Sequence, residues 1–364
     1  MPIIYMKKFK VGILGATGMV GQKFITLLQN HPWFDIEVLA ASERSAGKPF
    51  KEAVKNRRHM DKSIPKSLEN KIIMDVQKDI ENIVSKVDFV FCAVNMPKQE
   101  LKKLEEDYAK MECPVISNNS ANRMATDVPM IIPEINANHM EVIPFQRKRL
   151  KTKRGFIAVK SNCSIQCYVP ALHPFFKNNI EKILVCTYQA ISGAGKNFDL
   201  WPEMVDNIIP FIPGEEEKSE TEPLKIWGKI ENGKIVSNKT INITSQCLRV
   251  PVSDGHTAAV FATFKNKISP QKAIDHIKNF KGDSKSLDLP SSPKKFMHYF
   301  EEPERPQVRL DRDLERGMAI SVGRMREDSQ YDIKFVCMSH NTVRGAAGGA
   351  ILLAEMLCRE GYIF

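Results

Sequence analysis

The sequence predicts an α/β protein in two parts: an N-terminal domain on a parallel, doubly wound sheet, then an α+β domain whose sheet is mostly antiparallel. Three observations lead there. At 364 residues the chain exceeds the size at which a single core keeps growing, so it divides. In its first half, short apolar runs alternate with helical patterns, as parallel βαβ units do. Beyond residue 180 the apolar runs lengthen and change order (183–191, 239–252, 256–264, 318–325 and 331–339), which suits a mostly antiparallel sheet with helices.

The first element is the short strand ending at Leu14, and it runs into Gly15, Ala16, Thr17, Gly18, Met19, Val20 and Gly21. A helix follows, with apolar residues at Val20, Phe24, Leu27 and Leu28. Three glycines three apart let the backbone turn tightly, approach a pyrophosphate and pack helix on strand, while the helix N-terminus faces the phosphates. This is a G-x-x-G-x-x-G variant of the Rossmann-type dinucleotide fingerprint. Gly15, Thr17, Gly18, Met19 and Val20 are its expected cofactor contacts.

The next strand, 36–41, ends in Ser42, Glu43, Arg44 and Ser45. An acid at that position would hold an adenosine 2′-hydroxyl, whereas two hydroxyls and a guanidinium suit a 2′-phosphate. Ser42, Arg44 and Ser45 therefore predict NADP. Glu43 keeps NAD possible, and Asp35 lies at the wrong end of the strand.

Further βα units follow. A strand over 87–94 leads to Asn95 as a helix cap, Pro97 in the first turn and a helix reaching about Lys110. The strand 114–117 opens into a polar loop ending at Arg123, beyond the C-terminal end of a parallel strand, where ligands bind. Arg123 is thus placed to meet an anion, though a surface arginine is the alternative. Residues 136–155 are polar and basic, and read as a connecting surface segment.

The sequence then places a thiol where a strand ends and a helix begins. Phe156 to Val159 is apolar, Ser161 and Asn162 are good caps, and Cys163 follows. Unpaired N–H groups and the helix dipole at such a position favour a thiolate and can receive an oxyanion. A small buried cysteine in a turn would look the same. Further on, Glu215 to Glu222 is a charged helical stretch, and Arg249 to His256 turns through Ser253, Asp254 and Gly255. That turn can present a carboxylate-clamping arginine and a proton-carrying histidine on one side. The final helix, 342–357, begins with small residues that allow close packing and is expected to return to the first domain.

Composition narrows the classes. A hydrophobic share of 43% with 26% charged residues is ordinary for a soluble globular protein. No apolar run is long enough to span a membrane, and the N-terminus lacks the apolar stretch of a secretory signal, so the cytosol is expected. Eight scattered cysteines suggest reduced thiols; Cys163 and Cys167 alone lie close together, and that spacing is poor for zinc, so no metal is expected. The net charge of +10 is dispersed over Lys7, Lys8 and Lys10, Arg57 and Arg58, and 147–154. It interleaves with no aromatic stripe, so it suits anionic small molecules rather than nucleic acid.

Six motifs occur in the order seen in aspartate-semialdehyde dehydrogenases, and the chain resembles the archaeal and fungal branch of that family. They are 15–21, 161–164, 189–195, 215–218, 249–252 with Gly255 and His256, and 341–347. The resemblance implies that Cys163 attacks the aldehyde, that His256 manages protons and that Gln189 orients the intermediate. It implies that Arg249 clamps the substrate carboxylate, that Glu215 partners its ammonium group, and that Lys218, Arg123 and Asn162 form a phosphate site. Ser192, Gly193 and Asn341 are implied as cofactor contacts. The implied reaction oxidises aspartate semialdehyde with NADP and inorganic phosphate to aspartyl phosphate through a Cys163 thioester, with biosynthesis running in reverse. A homodimer or homotetramer is implied, with residues 1–160 and 341–364 as the nucleotide domain and 161–340 as the catalytic and dimerisation domain. The rival readings are a malonyl-CoA reductase, which would have no use for Glu215 or a phosphate site, an N-acetyl-glutamyl-phosphate reductase, whose substrate signature is not seen, and a catalytically silent NADP-binding protein.

Overall fold

The structure is a computed structural model that describes residues 8–55 and 63–364; Lys7, Arg57 and Arg58 lie outside the described residues. The first sheet takes its strands from the first half of the chain: β1 (Phe9–Leu14), β2 (Phe34–Ala41), β3 (Met74–Asp75), β4 (Phe89–Cys92), β5 (Val115–Ser117) and β6 (Ile157–Val159). Every pair is parallel and the order is β3-β2-β1-β4-β5-β6. The direction of winding reverses between β1 and β4, and in sheets of this kind the ligand crevice opens there.

The glycines at the end of β1 have separable reasons. Gly15 has φ +88°, and a Cβ on it would sit 2.5 Å from the Ala93 carbonyl oxygen. A Cβ on Gly21 would sit 2.2 Å from the Gly15 oxygen, so helix α1 (Met19–Leu28) needs glycine to close on the turn. A Cβ on Gly18 would meet only the Gly15 oxygen, at 3.5 Å. Protein packing does not require that glycine, and the space in front of it stays open.

Helix α2 (Lys98–Lys110) follows β4, with Pro97 rather than Asn95 at its cap position. The segment 136–155 is no surface connector. It forms helical turns over Pro133–Asn136, Ala137–Val142 and Ile143–Leu150, and Ala137, Met140, Val142, Ile143 and Leu150 are buried. Its buried apolar residues recur at helical spacing among the charges, with Phe145 left exposed, a pattern hidden by average composition.

Helix α3 (Ile165–Leu172) leads from the cysteine into the second sheet. That sheet comprises β7 (Ile180–Gln189), β10 (Asn242–Arg249), β11 (His256–Phe264), β12 (Met297–Phe300), β13 (Ile320–Glu327) and β14 (Ile333–Ser339); β8 (Lys229–Glu231) and β9 (Lys234–Val236) form a separate hairpin. Its order is β10-β7-β11-β14-β13-β12. The three central pairings are antiparallel and the two outermost, β10–β7 and β12–β13, are parallel. Helix α4 (Glu215–Ile226) packs against β10.

The C-terminal segment returns to the first sheet, though as two pieces: a π-type turn over Val343–Ala347, then helix α5 (Gly348–Arg359). Ile351, Leu353, Ala354 and Leu357 join one buried cluster with Val11, Ile13, Phe89 and Ile116. Arg344 in the turn is fully buried, holds Glu134 through two 2.6 Å bonds and reaches Gln166 of α3 at 3.2 Å. The bidentate pair ties the returning chain to Glu134, and the bond to Gln166 ties it to α3.

Candidate active site

Strand direction assembles the site. Strands β7 and β10 run parallel with Gln189 opposite Arg249, and so end side by side. Strand β11 runs the other way and begins at that rim with His256, opposite Ser339, the last residue of β14. Gln189, Arg249, His256 and Asn341 therefore reach one edge from residues far apart in sequence. Cys163 arrives there from β6.

The Cys163 Sγ lies 3.3 Å from His256 Nε2. Nδ1 of the same ring accepts the Ala190 backbone N–H at 3.0 Å. A neutral imidazole accepting at Nδ1 carries its proton on Nε2, so the ring offers that N–H toward the sulfur. Burial, then the Arg249, His340 and Lys160 charges, push the His256 pKa well below the usual histidine value and hold the ring neutral.

The thiol differs from expectation. Asn162, not Ser161, caps the turn that leads into α3: its side-chain oxygen accepts the Ser164 N–H and hydroxyl at 2.7 and 2.6 Å. Desolvation, with Glu215 adding to it, pushes the Cys163 thiol up to about 11, against the pull of Lys160, Arg123 and Arg249. Removal from water outweighs those cations, so the thiol is favoured over the thiolate.

Arg249 is 5% exposed and spends one donor, Nη1, on the Ala190 oxygen at 2.7 Å. Among the described residues its Nε and Nη2 meet no protein acceptor. A Cβ on Gly193 would lie 2.8 Å from Arg249 Nη1 and 3.1 Å from His256 Cε1, so this position lies directly against both groups. Asn341 donates to the Ser192 hydroxyl at 2.9 Å and accepts the Gly255 N–H at 2.7 Å. In the same turn, a Cβ on Gly345 would sit 2.8 Å from the Cys163 Cβ.

One face of α4 organises the rest. Glu215 accepts from Asn162 Nδ2 (3.0 Å), Gln189 Nε2 (3.2 Å) and Lys218 Nζ (2.8 Å). Glu222 accepts the Asn162 backbone N–H at 2.6 Å and Arg123 Nη1 at 2.9 Å. Lys225 donates to the carbonyls of Arg123, Ala125 and Val128 at 2.5, 2.7 and 2.7 Å. Arg123 also gives Nε to the Lys160 oxygen and Nη2 to the Asn118 oxygen, so each of its three nitrogens has an acceptor. Of the three expected phosphate contacts, Lys218 gives the protein one bond and Arg123 one from each nitrogen, so both keep N–H groups in reserve, while the Asn162 amide is committed to Glu215.

The sequence reading passed over Glu222, Lys225, Lys160 and Glu105. The first two had a signal, because 215, 218, 222 and 225 share one helical face and alternate in sign. Glu105 had none; it reaches from α2 to accept from Ser117, Asn119 and Asn122, shaping the loop before Arg123.

At the other end of the cleft, Gly15, Thr17, Gly18, Met19 and Val20 line the turn from β1 into α1, where Gly18 leaves room for a phosphate. Ser42 and Arg44 are exposed at the end of β2, Ser45 is buried, and Glu43 is paired with Lys78 at 2.5 Å. Asp35 pairs with Lys8 at the far end of that strand.

With this geometry in place, two family models match the chain: semialdehyde dehydrogenase, NAD binding domain, over residues 10–143, and semialdehyde dehydrogenase, dimerisation domain, over 172–344. Aspartate-semialdehyde dehydrogenase of Archaeoglobus fulgidus is 42% identical over 361 residues, spanning 98% of this chain and all of that one. The chain belongs to the aspartate-semialdehyde dehydrogenase family. The Aspergillus fumigatus enzyme of the same name is 40% identical over 99% of each chain. The crystal structure of the Candida albicans aspartate-semialdehyde dehydrogenase with NADP superposes with a TM-score of 0.87 at 36% identity, covering 98% of this chain and all of that one. The family members span the whole cleft, from the β1 turn to the sheet rim that carries Cys163.

Proposed function

We propose that the chain interconverts L-aspartate 4-semialdehyde, phosphate and NADP with 4-phospho-L-aspartate and NADPH. The observation that carries this is the 3.3 Å contact of Cys163 Sγ with His256 Nε2, set beside an arginine with unused donors. Bound NADP supplies a hydride acceptor. Once its proton has left to the cleft solvent, Cys163 adds as a thiolate to the aldehyde carbon, and the new oxyanion accepts a hydrogen bond from His256 Nε2–H. Loss of hydride leaves an acyl thioester, which stays reactive enough for phosphate to displace the sulfur.

Arg249 grips the substrate carboxylate with Nε and Nη2. Glu215 meets the substrate ammonium, and Gln189, held on Glu215, orients the adduct. Lys218 receives the phosphate, with Arg123 and Asn162 supporting it from their fixed positions. Ser192, Gly193 and Asn341 face the nicotinamide, while Ser42 and Arg44 take the 2′-phosphate and the buried Ser45 backs the turn that carries them. Two cationic sites suit a product with a carboxylate at one end and a phosphate at the other.

Residues 1–160 with 341–364 form the nucleotide-binding unit in this reading, and 161–340 the catalytic unit. A homo-oligomer fits the second sheet's outer face, where Tyr188 is 38% exposed and Phe261 is half-buried, near Val205, Ile208 and Phe211 at 61, 56 and 62% exposure. Light scattering distinguishes a dimer from a tetramer. Among the described residues no helix is long and apolar enough to cross a membrane, and cytoplasmic biosynthesis of amino acids is the setting proposed.

The test is NADPH formation from aspartate semialdehyde and NADP with and without inorganic phosphate. Phosphate-dependent reduction supports the reading. NADPH oxidation with malonyl-CoA, and no turnover of the semialdehyde, would replace it.

A further inference from the structure

Glu222 is a buried carboxylate beside the nucleophile's turn to which the reaction above gives no task. It is 2% exposed, and its two oxygens serve different parts of the site. Oε1 accepts Arg123 Nη1 at 2.9 Å, while Oε2 accepts the Asn162 backbone N–H at 2.6 Å. Asn162 immediately precedes Cys163. One rigid group thus fixes the distance between the expected phosphate arginine and the turn that carries the sulfur.

The other bonds of Arg123 go to backbone oxygens, those of Lys160 and Asn118 at 2.9 and 2.8 Å, so Glu222 is its one charged partner among the described residues. Three of the five guanidinium N–H groups are given away, which leaves two for a ligand. One turn further along α4, Lys225 donates to the carbonyls of Arg123, Ala125 and Val128 at 2.5, 2.7 and 2.7 Å. That ties the Arg123 loop to the same helix face. The Asn162 side chain is held there as well, by Glu215. Helix α4 is a common frame for Arg123 and, through Asn162, for Cys163.

A carboxylate next to a phosphate site works against the anion by its charge, because it offsets part of what Arg123 offers. What it contributes is direction. We propose that Glu222 is a positioning residue for the phosphate step: it aims the two uncommitted N–H groups of Arg123 at the phosphate that attacks the Cys163 thioester. In that step a phosphate oxygen bonds to the acyl carbon, and the carbon–sulfur bond breaks with its electron pair on Sγ. Formation of the thioester uses no phosphate and does not depend on this aim. The inference rests on Arg123 belonging to the phosphate site.

The test is Glu222→Gln in the full-length protein. Glutamine keeps the volume but has one acceptor oxygen, so its NH₂ group faces either Arg123 or Asn162, both donors. The KM for inorganic phosphate is expected to rise by about ten- to hundred-fold, the scale of effect that a small misplacement produces. The KM for the semialdehyde, and the burst of NADPH formed in a first turnover without phosphate, should stay near wild type. A role for Glu222 through charge alone has the opposite sign, because removing the carboxylate would strengthen the pull of Arg123 and lower that KM. Glu222→Asp, which keeps the charge and shortens the reach, should raise it by a smaller factor. Arg123→Lys should raise it too, and joining Glu222→Gln to that change should add little, since both act through one guanidinium.

A phosphate KM that stays or falls in Glu222→Gln, or a combined effect equal to the product of the two, would overturn the proposal. So would equal losses in the burst and in the phosphate-dependent rate, or a failure of both Glu222 variants to fold, either of which assigns Glu222 to stability alone. An unchanged phosphate KM in Arg123→Lys would instead remove the phosphate-site reading on which the inference stands.

Discussion

The two ends of the cleft handle charge in opposite ways. At the cysteine end the charges are buried and closed on one another: Glu222 is 2% exposed against Arg123, and Arg344 and Glu134 are 0 and 2% exposed in their pair. At the adenosine end, Glu43 and Lys78 are 79 and 67% exposed, and Arg44 is exposed too. Buried pairs fix positions, because leaving either partner alone in a low dielectric is costly. Exposed ones bias binding weakly and are screened by salt. Reaction geometry is thus held rigidly, while Ser42 and Arg44, proposed for the 2′-phosphate, are solvated.

That contrast can be broken from either end. Cys163→Ala should cut turnover by about four orders of magnitude or more while NADPH binding, read by fluorescence, survives. Near-normal turnover would end the thioester mechanism. Glu134→Gln should destabilise the protein by about 3–5 kcal/mol, since Arg344 is left buried without a counter-charge. An unchanged urea midpoint would show that the pair does not tie the returning chain in place.

Arg249→Lys should lower kcat/KM for the semialdehyde roughly ten- to hundred-fold, chiefly through KM, because an ammonium cannot reproduce a planar two-point grip. An unchanged KM would place the carboxylate elsewhere. The smallest effect belongs to the exposed end. Lys78→Glu should reduce the NADP-to-NAD ratio of kcat/KM by about three- to ten-fold, and less at high salt. A ratio that does not move would leave Ser42 and Arg44 as the whole determinant.

Legibility followed the same division. The β1 turn could be read because a tight turn needs glycine at fixed spacing, and Gly15 and Gly21 show that need in their close contacts. Strand β11 was read with the bounds it has, since alternation along 256–264 survives folding as buried and half-buried faces. Average polarity misled at 136–155, where few but well-spaced apolar residues bury three helical turns. At the thiol, burial acts against the thiolate that the strand-to-helix position favours, because a helix N-terminus is a local feature and desolvation is a collective one.

The sequence by itself determined the two sheets, the dinucleotide turn and the residue types of the chemistry, because periodicity and glycine spacing are properties of the chain. Tertiary structure alone decided which of those residues are free to act. Arg123 and Asn162 are held in place by Glu222, Glu215 and backbone, Arg249 keeps two nitrogens open, and Ala190 sets the His256 tautomer. The physical reason is that a donor's availability depends on which acceptors folding brings to it, and those acceptors lie up to about a hundred residues away.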